Sequence, residues 1–350
     1  MKKRILSILL LCCMVLIMLP TTVLAADGPM DTIPKYDVSI DVYNRTSDIS
    51  IKDSRSYYIY SSVPDKLRDT WAWDKKIFIK GDKTAPHVFI DGVNIKMSPS
   101  SLGPAIELNK KASAYIYFIG KNSSLQGADG RAAIQKNRSE GQLYVLARTG
   151  TTVTCKGGDK AAGIGGSYAT RNISNGYYNG DMYGHGVNMH FGSQSNPDYW
   201  GGIIAAIGGN GGAGIGGGQG GAGEKLYFYS GTIQATSDRF ASGIGGSYEG
   251  RGSEIYIYGG TVSAQGGEGG AGIGGGCWKT EQDMNGINAA HDIYISGGTV
   301  TATGGEVTDG AKSYGLCGSS LNAGVSISGG TVTAWGGTQA VGGNTGNIGN

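Results

Sequence analysis

The chain has 350 residues, 65 of them glycine, and a formal net charge of +2 at pH 7. So small a net charge argues against nucleic acid or a strongly anionic surface as the partner. The glycines recur at regular intervals between valine, isoleucine and tyrosine, which argues against disorder.

The first element along the chain is a predicted signal peptide over residues 1–26. Basic residues 2–4 precede an apolar run over residues 5–19, and small residues follow at Ala25 and Ala26. This pattern predicts cleavage after one of those two alanines. The apolar run is too short for a stable membrane span. We therefore expect a mature protein that is secreted or held at the cell surface, with no membrane span after cleavage.

Residues 27–76 lack the later periodicity and are predicted to form an irregular N-terminal cap, which an open coil needs to protect its first edge. The segment 63–73 is predicted to hold a short helix. Trp71 and Trp73 are expected to pack within this cap.

Residues 77–350 are predicted to form one repeat domain, because a strand-like run followed by Gly-Ile-Gly-Gly recurs along it. Each of four isoleucines lies 11 residues after the centre of its strand run, and both series step by 51, 29 and 29 residues. A fixed period near 29 indicates one structural unit stacked many times. The strand runs are centred on Val153, Ile204, Ile233, Val262, Val300 and Val332, and the glycine motifs on Ile164, Ile215, Ile244 and Ile273.

The unit Glu254–Gly276 shows the internal pattern of one coil. Ile255 and Ile257 alternate with tyrosines, as in a strand with one buried face, and Val262 and Ala264 alternate after a glycine pair. Three short strands and three glycine corners per unit predict an all-β fold, a right-handed parallel β-helix. The inward slot of Ala264 recurs in the other coils, at Cys155, Ala206, Ala235, Ala302 and Ala334.

Two other repeats fit less well. Leucine-rich repeats share the period, but their leucine signature is absent. The calcium-binding nonapeptide matches residues 208–216 and 266–274 except at one place, where Ala213 and Ala271 replace the calcium-ligating aspartate.

Four motifs carry a resemblance to a known family: HVFIDGVNI (87–95), PAIEL (104–108), the Gly-Ile-Gly-Gly runs, and GGTVTATGG (297–305). Over about residues 77–345 the chain resembles exported bacterial β-helix proteins described as carbohydrate-binding domain-containing. The resemblance implies binding of plant-type polysaccharides and of calcium. No aspartate cluster stands out, so no calcium ligand is assigned and no cofactor is predicted.

Insertions at about 167–200 and 277–291 break the period and are expected to project from one side of the solenoid. Loops on a rigid scaffold commonly carry binding groups, and aromatic faces suit sugar rings. We therefore predict polysaccharide or surface-glycan binding through loop aromatics, although these rings could instead pack their own loops. The candidate carbohydrate-binding residues are Tyr168, Tyr183, Tyr199, Trp200, Tyr248 and Trp278.

Catalysis is not predicted. The Gly-His-Gly around His185 resembles polygalacturonases, but the other motifs of that family are absent, and hydrolysis needs two facing carboxylates. His185 and His190 lack a local partner for metal binding. A polysaccharide lyase or hydrolase remains the first alternative, and a structural or adhesin stalk the second. A disulfide between Cys277 and Cys317 stays open, and the uncapped last coil leads us to expect a fragment of a longer protein.

Overall fold

The structure is a computed structural model, and residues from Tyr36 onward form one compact unit. Residues 1–26 of the predicted signal peptide, residues 277–290 of the second insertion, and Cys317 lie outside the described residues. No helix among the described residues is long and apolar enough to cross a membrane. The residues described are 33–81, 83–101, 103–109, 111–136, 140–168, 184–276, 291–306, 313–316, 324–337, 339–341 and 345–348.

Three parallel sheets of short strands stack along one axis, and each coil of the chain contributes a strand to each sheet in turn. Sheet 1 has eleven strands: Val38–Asp41, Ser56–Tyr60, His87–Asp91, Ala114–Phe118, Leu143–Ala147, Gly186–Phe191, Gly223–Phe228, Gly252–Ile257, His291–Ile295, Val325–Ile327 and Thr345–Ile348. Sheet 2 has ten: Ile49–Ile51, Ile77–Ile79, Ile106–Leu108, Ile134–Lys136, Ile164–Gly165, Ile215–Gly216, Ile244–Gly245, Ile273–Gly274, Tyr314–Leu316 and Gln339–Val341. Sheet 3 has eight: Asn94–Lys96, Ser123–Gln126, Thr152–Lys156, Ile203–Ile207, Thr232–Thr236, Thr261–Gln265, Thr299–Thr303 and Thr331–Trp335. This arrangement confirms the predicted parallel β-helix and is consistent with a right-handed coil.

The strand register follows the predicted period. In sheet 3, Val153 pairs with Ile204, which pairs with Ile233, and the series continues to Val332. In sheet 2, Ile164 and the three later isoleucines of the glycine motif pair in one row. The period of 29 residues is therefore one complete turn of the solenoid.

The core is a column of stacked aliphatic side chains between the three sheets. Its members alternate along each strand with outward residues, as a period of two requires. The predicted alanine slot points inward, and Cys155 occupies it as a fully buried thiol whose pKa is raised by that burial. Residues of similar size stack on like residues, which fills the narrow interior without large gaps.

Glycine is required where sheet 2 turns toward sheet 1. Gly245 has a φ of 123°, and a Cβ placed there would lie 2.2 Å from the carbonyl oxygen of Gly274. Gly216 is equally confined, with a φ of 134° and 2.0 Å to the oxygen of Gly245. Only a residue without a side chain fits this corner, which explains the repeated Gly-Ile-Gly-Gly.

The N-terminal region is more regular than its sequence indicates. Strands within 38–60 already pair into sheets 1 and 2, while sheet 3 begins only at Asn94–Lys96. The segment 63–73 contains a 3-10 turn at Asp65–Leu67 in place of the predicted helix. Trp73 is buried in the core, and its indole N–H donates to the Arg45 carbonyl at 2.8 Å.

Candidate functional site

Tyr199 and Trp200 lie in the turn between the strands Gly186–Phe191 and Ile203–Ile207, which joins sheet 1 to sheet 3. Trp200 is only 3% exposed. Its ring centroid lies 5.1 Å from that of Tyr117 and 4.8 Å from that of Tyr199, whose ring meets it edge-on. Trp200 therefore packs its own turn onto sheet 1, which corrects the expectation that it presents an open face to a sugar.

Tyr168 and Tyr248 lie at a different corner, between sheet 2 and sheet 1. Tyr248 is 9% exposed, and its ring packs 5.4 Å from that of Phe240. Tyr168 is half-buried, with the Lys160 ammonium 5.1 Å from its ring centroid. The structure does not bring these residues into one strip with Trp200, because the two corners lie at opposite edges of sheet 1. Burial of large rings under long turns offsets the loss of chain entropy there.

Tyr183 and Trp278 lie outside the described residues, so their part in binding stays a prediction.

The outer face of sheet 1 carries a column of stacked aromatic rings, here called the aromatic ladder. Neighbouring ring centroids are 4.4 to 5.0 Å apart, and the planes are tilted by 5 to 15°. Parallel strands in register lie about 4.8 Å apart, so one outward slot repeated in every coil brings its rings to stacking distance. The ladder consists of His87, Tyr115, Tyr144, His190, Tyr227, Tyr256 and Tyr294.

A second, interrupted column runs beside the ladder, two residues further along each strand. Two hydrogen bonds tie the columns together: the Tyr117 hydroxyl lies 2.9 Å from His87 Nδ1, and the Tyr229 hydroxyl 3.2 Å from His190 Nδ1. This cross-linking gives the middle of sheet 1 a continuous outer layer of rings. The second column consists of Tyr58, Phe89, Tyr117, Tyr229 and Tyr258.

The aromatic ladder is uncharged at neutral pH, and burial widens the pH range over which its rings stay uncharged. Desolvation lowers the pKa of His190 to about 3 and also lowers the pKa of His87. Desolvation raises the pKa of Tyr227 to about 12 and raises the pKa values of Tyr144 and Tyr256 further. The middle of the ladder is therefore a neutral surface of ring edges and hydroxyls.

The ladder opens at its C-terminal end. From Tyr115 to Tyr256, each ring is stacked between two neighbours, so no flat face is left for a sugar. Tyr294 differs: it is 40% exposed, Tyr256 covers one face, and the register partner on the other side is the small Ser326. Tyr258, in the second column, is 38% exposed. Tyr294 and Tyr258 are thus the exposed rings of the two columns.

A row of polar residues with left-handed backbone borders the ladder. Asn188, Lys225, Glu254 and Asp292 have φ values of 60°, 57°, 53° and 62° on consecutive strands of sheet 1. Glu254 contributes to the raised pKa values of Tyr227 and Tyr256, and the Tyr294 hydroxyl donates to Asp292 Oδ1 at 3.4 Å. Non-glycine residues rarely adopt this conformation, and such residues cluster at functional sites.

The histidines singled out in the sequence have structural environments. His185 Nδ1 accepts a hydrogen bond from the Ala222 N–H at 3.2 Å, and His190 lies inside the ladder. Among the described ranges, no group of three or more histidine, cysteine, aspartate or glutamate residues is placed to hold a metal ion.

Sequence reasoning assigned the tyrosines of the strands to an alternating pattern but not to a site. The signal was present: an aromatic residue recurs at the same place in each coil, from Tyr227 to Tyr256 and on to Tyr294. Aligning outward positions as well as inward ones reveals the ladder.

Comparison with protein families finds a match to a β-helix repeat model over residues 229–248, 255–277 and 293–315. Comparison with curated proteins and with solved structures finds no significant match. The matched segments include the coils that carry Tyr258 and Tyr294. A β-helix repeat is also the architecture seen in the three stacked parallel sheets. The chain is therefore a β-helix repeat protein.

Proposed function

We propose that this chain is an exported or cell-surface β-helix protein that binds a polysaccharide at the C-terminal end of its aromatic ladder. The exposed Tyr294 ring, covered on one face and bordered on the other side by a serine, carries this proposal. Export rests on the signal-peptide pattern of residues 1–26.

The surroundings of Tyr294 suit a sugar. A pyranose ring has apolar faces that stack on an aromatic ring and hydroxyls that need polar partners. Glu254 and Asp292 border the rings and supply carboxylate acceptors for such hydroxyls. The exposed Tyr258 extends the platform sideways.

Affinity electrophoresis against a panel of neutral plant and bacterial polysaccharides tests this function. Y294A should bind roughly three- to tenfold more weakly, because a stacking contact contributes about 0.5–1.5 kcal/mol. Y258A should show a loss of similar size. W278A tests whether the second insertion takes part.

Tyr36 provides the matched control. It is 41% exposed and also stacks on one ring, that of Tyr58 at 5.2 Å, but it lies at the opposite end of sheet 1. Y36A should leave the affinity unchanged. Equal retardation of wild type, Y294A and Y258A would exclude this end of the ladder as the site.

A hydrolase or lyase is the second candidate, and one observation favours it. Glu254 and Asp292 occupy neighbouring rungs beside exposed rings, with Lys225 on the preceding rung. Glycoside hydrolysis uses two carboxylates that flank one bond.

Incubation with polygalacturonate and with neutral glycans, followed by assay of reducing ends and unsaturated products, separates the two candidates. We expect no turnover. Turnover that is lost in E254Q and D292N but kept in E249Q would establish the enzyme.

A further inference from the structure

Four lysines lie along one edge of the first coils, where sheet 2 turns toward sheet 1. Lys52 and Lys80 directly follow the paired strands Ile49–Ile51 and Ile77–Ile79, and Lys80 N donates to the Ile51 carbonyl at 2.9 Å. Lys83 and Lys111 are exposed in the same row of turns. These four residues are here called the basic edge.

The charged neighbours of the basic edge set it apart from the ion-paired lysines of the same coils. Within the described part of the chain, no carboxylate lies within salt-bridge distance of its four ammonium groups. Asp53, which follows Lys52, is held by Arg55 at 2.9 Å and by the Tyr57 hydroxyl at 2.8 Å, and Asp82 lies outside the described residues. Three other lysines of the same coils are paired: Lys75 with Asp74, Lys76 with Glu107 and Lys121 with Asp65. Lys66 and Lys96 share with the basic edge the lack of an ion pair to any described carboxylate, but they lie apart from this row of turns.

Stacking like charges on consecutive rungs is unfavourable without a counter-ion. Rungs of a parallel sheet lie about 4.8 Å apart, and like charges directly opposite each other destabilise a sheet. The corner nevertheless keeps Lys52 and Lys80 adjacent. An anion held between them would remove this repulsion.

The same residues form a place for such an anion. Lys52, Lys80, Gly81 and Asn109 line an open groove of about 450 Å³. The groove follows three consecutive rungs, because Asn109 occupies the place after the next strand of sheet 2. Three rungs span about 10 Å, so positions for anionic groups lie side by side along the groove.

We propose that the basic edge binds phosphodiester groups presented in series, by an anionic lipid surface or by a soluble phosphodiester polymer. Ammonium groups act as point charges, and lysine is a common phosphate ligand in this way. The nearby Arg55 is already engaged by Asp53. Amide N–H groups of Asn109 add a neutral donor.

The small net charge of the chain is compatible with binding of phosphodiester groups, because basic and acidic residues are concentrated in different regions. Residues 36–168 contain 19 lysines and arginines against 13 aspartates and glutamates, whereas residues 200–350 contain 5 against 10. The first coils are therefore basic and the later ones acidic, and an average over the chain hides both.

The basic edge is distinct from the glycan site. Six strand pairings along sheet 1 separate the strand His87–Asp91, beside the edge, from the strand that carries Tyr294. At about 4.8 Å per pairing this is roughly 29 Å. Loss of one site should leave the other intact, so the two proposals fail separately.

The test measures binding of the purified chain to three probes at low and high salt. The first is vesicles of equal parts phosphatidylglycerol and phosphatidylcholine, the second soluble poly(glycerol phosphate), and the third polygalacturonate. The triple variant K52Q/K80Q/K111Q should bind the phosphodiester probe about tenfold more weakly or worse. The control K66Q/K96Q/K156Q removes the same charge from exposed positions elsewhere and should bind as wild type does.

Binding to the vesicles alone identifies a lipid surface, and binding to the soluble polymer as well identifies the phosphodiester chain itself. In either case the affinity should fall with salt, since the contacts are between exposed charges. No binding of either phosphodiester probe at low salt overturns the proposal. So does an equal loss in the control variant, or equally tight binding of polygalacturonate.

Discussion

The middle of the aromatic ladder and its C-terminal end use one residue type in one register slot for different purposes. Tyr144 stacks between Tyr115 and His190, so both of its faces are covered. Tyr294 stacks on Tyr256 alone and is 40% exposed. A tyrosine in the middle therefore stabilises the solenoid, and one at the end offers surface to a ligand. The side chain that the neighbouring coil places beside the ring decides which of the two roles a tyrosine has.

The register on which both parts depend gives the largest expected effect. G245A places a Cβ 2.2 Å from the Gly274 oxygen at a φ of 123°, and should lower the free energy of unfolding by about 3 kcal/mol or more. G150A is the control: its φ is 85° and nothing lies within 4 Å, so only about 1–2 kcal/mol of backbone strain is expected. Urea unfolding followed by circular dichroism measures both. Equal midpoints would show that the glycine row does not set the register.

Truncating one ring in each part of the ladder tests the comparison directly. Y144A removes a buried ring and should lower the free energy of unfolding by about 3 kcal/mol, whereas Y294A should lower it by less than about 1 kcal/mol. The same urea titrations report this difference. A loss from Y294A as large as that from Y144A would mean that the end of the ladder is structural too.

Acid tests the covered part of the ladder, because His190 is buried there. The folded pKa of His190 is about 3, below its ordinary value of 6.5, because burial disfavours the charged ring. As the pH falls, the His190 imidazole therefore takes up its proton in the unfolded chain before it does so in the folded one. The free energy of unfolding should fall by a few kcal/mol between pH 6.5 and pH 3. H190Y keeps an aromatic ring on this rung without that proton. Its unfolding free energy should depend less on pH over this window, and an unchanged dependence would contradict the assignment.

Alkali should produce the smallest effect. The folded pKa of Tyr227 is about 12, above the ordinary 10, because burial disfavours the phenolate. Stability from this residue is complete below pH 10 and is lost as the pH rises toward 12. Because the side chain is only half-buried, solvent screening limits the loss in the free energy of unfolding to roughly 1 kcal/mol. Absorbance titration of the tyrosines, comparing wild type with Y227F, should show one fewer late-titrating phenol in the variant.

The repeat was readable from the sequence because it obeys local rules. Glycine at the corners, alternation in the strands and the step of 29 residues predicted which residues pair, and Ile204, Ile233 and Val262 do pair. These features can be predicted because each depends on residues within one coil or on the equivalent residues of the next coil.

The binding surface was less readable, because exposure depends on what lies above and below each side chain. Trp200 looks accessible in a glycine-rich loop, but its turn folds onto Tyr117. Lys136 occupies an inward slot in register with Leu108 and is fully buried, and this burial lowers its pKa to about 8. No local pattern distinguishes these two from exposed residues of the same type.

The sequence alone determined the coil, its period and its inward-facing residues, since the chemistry of glycine and the alternation of strands act over a few residues. The tertiary structure decided which aromatic rings are covered and which lysines have a described carboxylate within salt-bridge distance. Tyr256 and Tyr294 have equivalent places in their own coils, and only the stacking of the next coil leaves one of them exposed. Accessibility is a property of neighbouring rungs, and those meet only when the solenoid has formed.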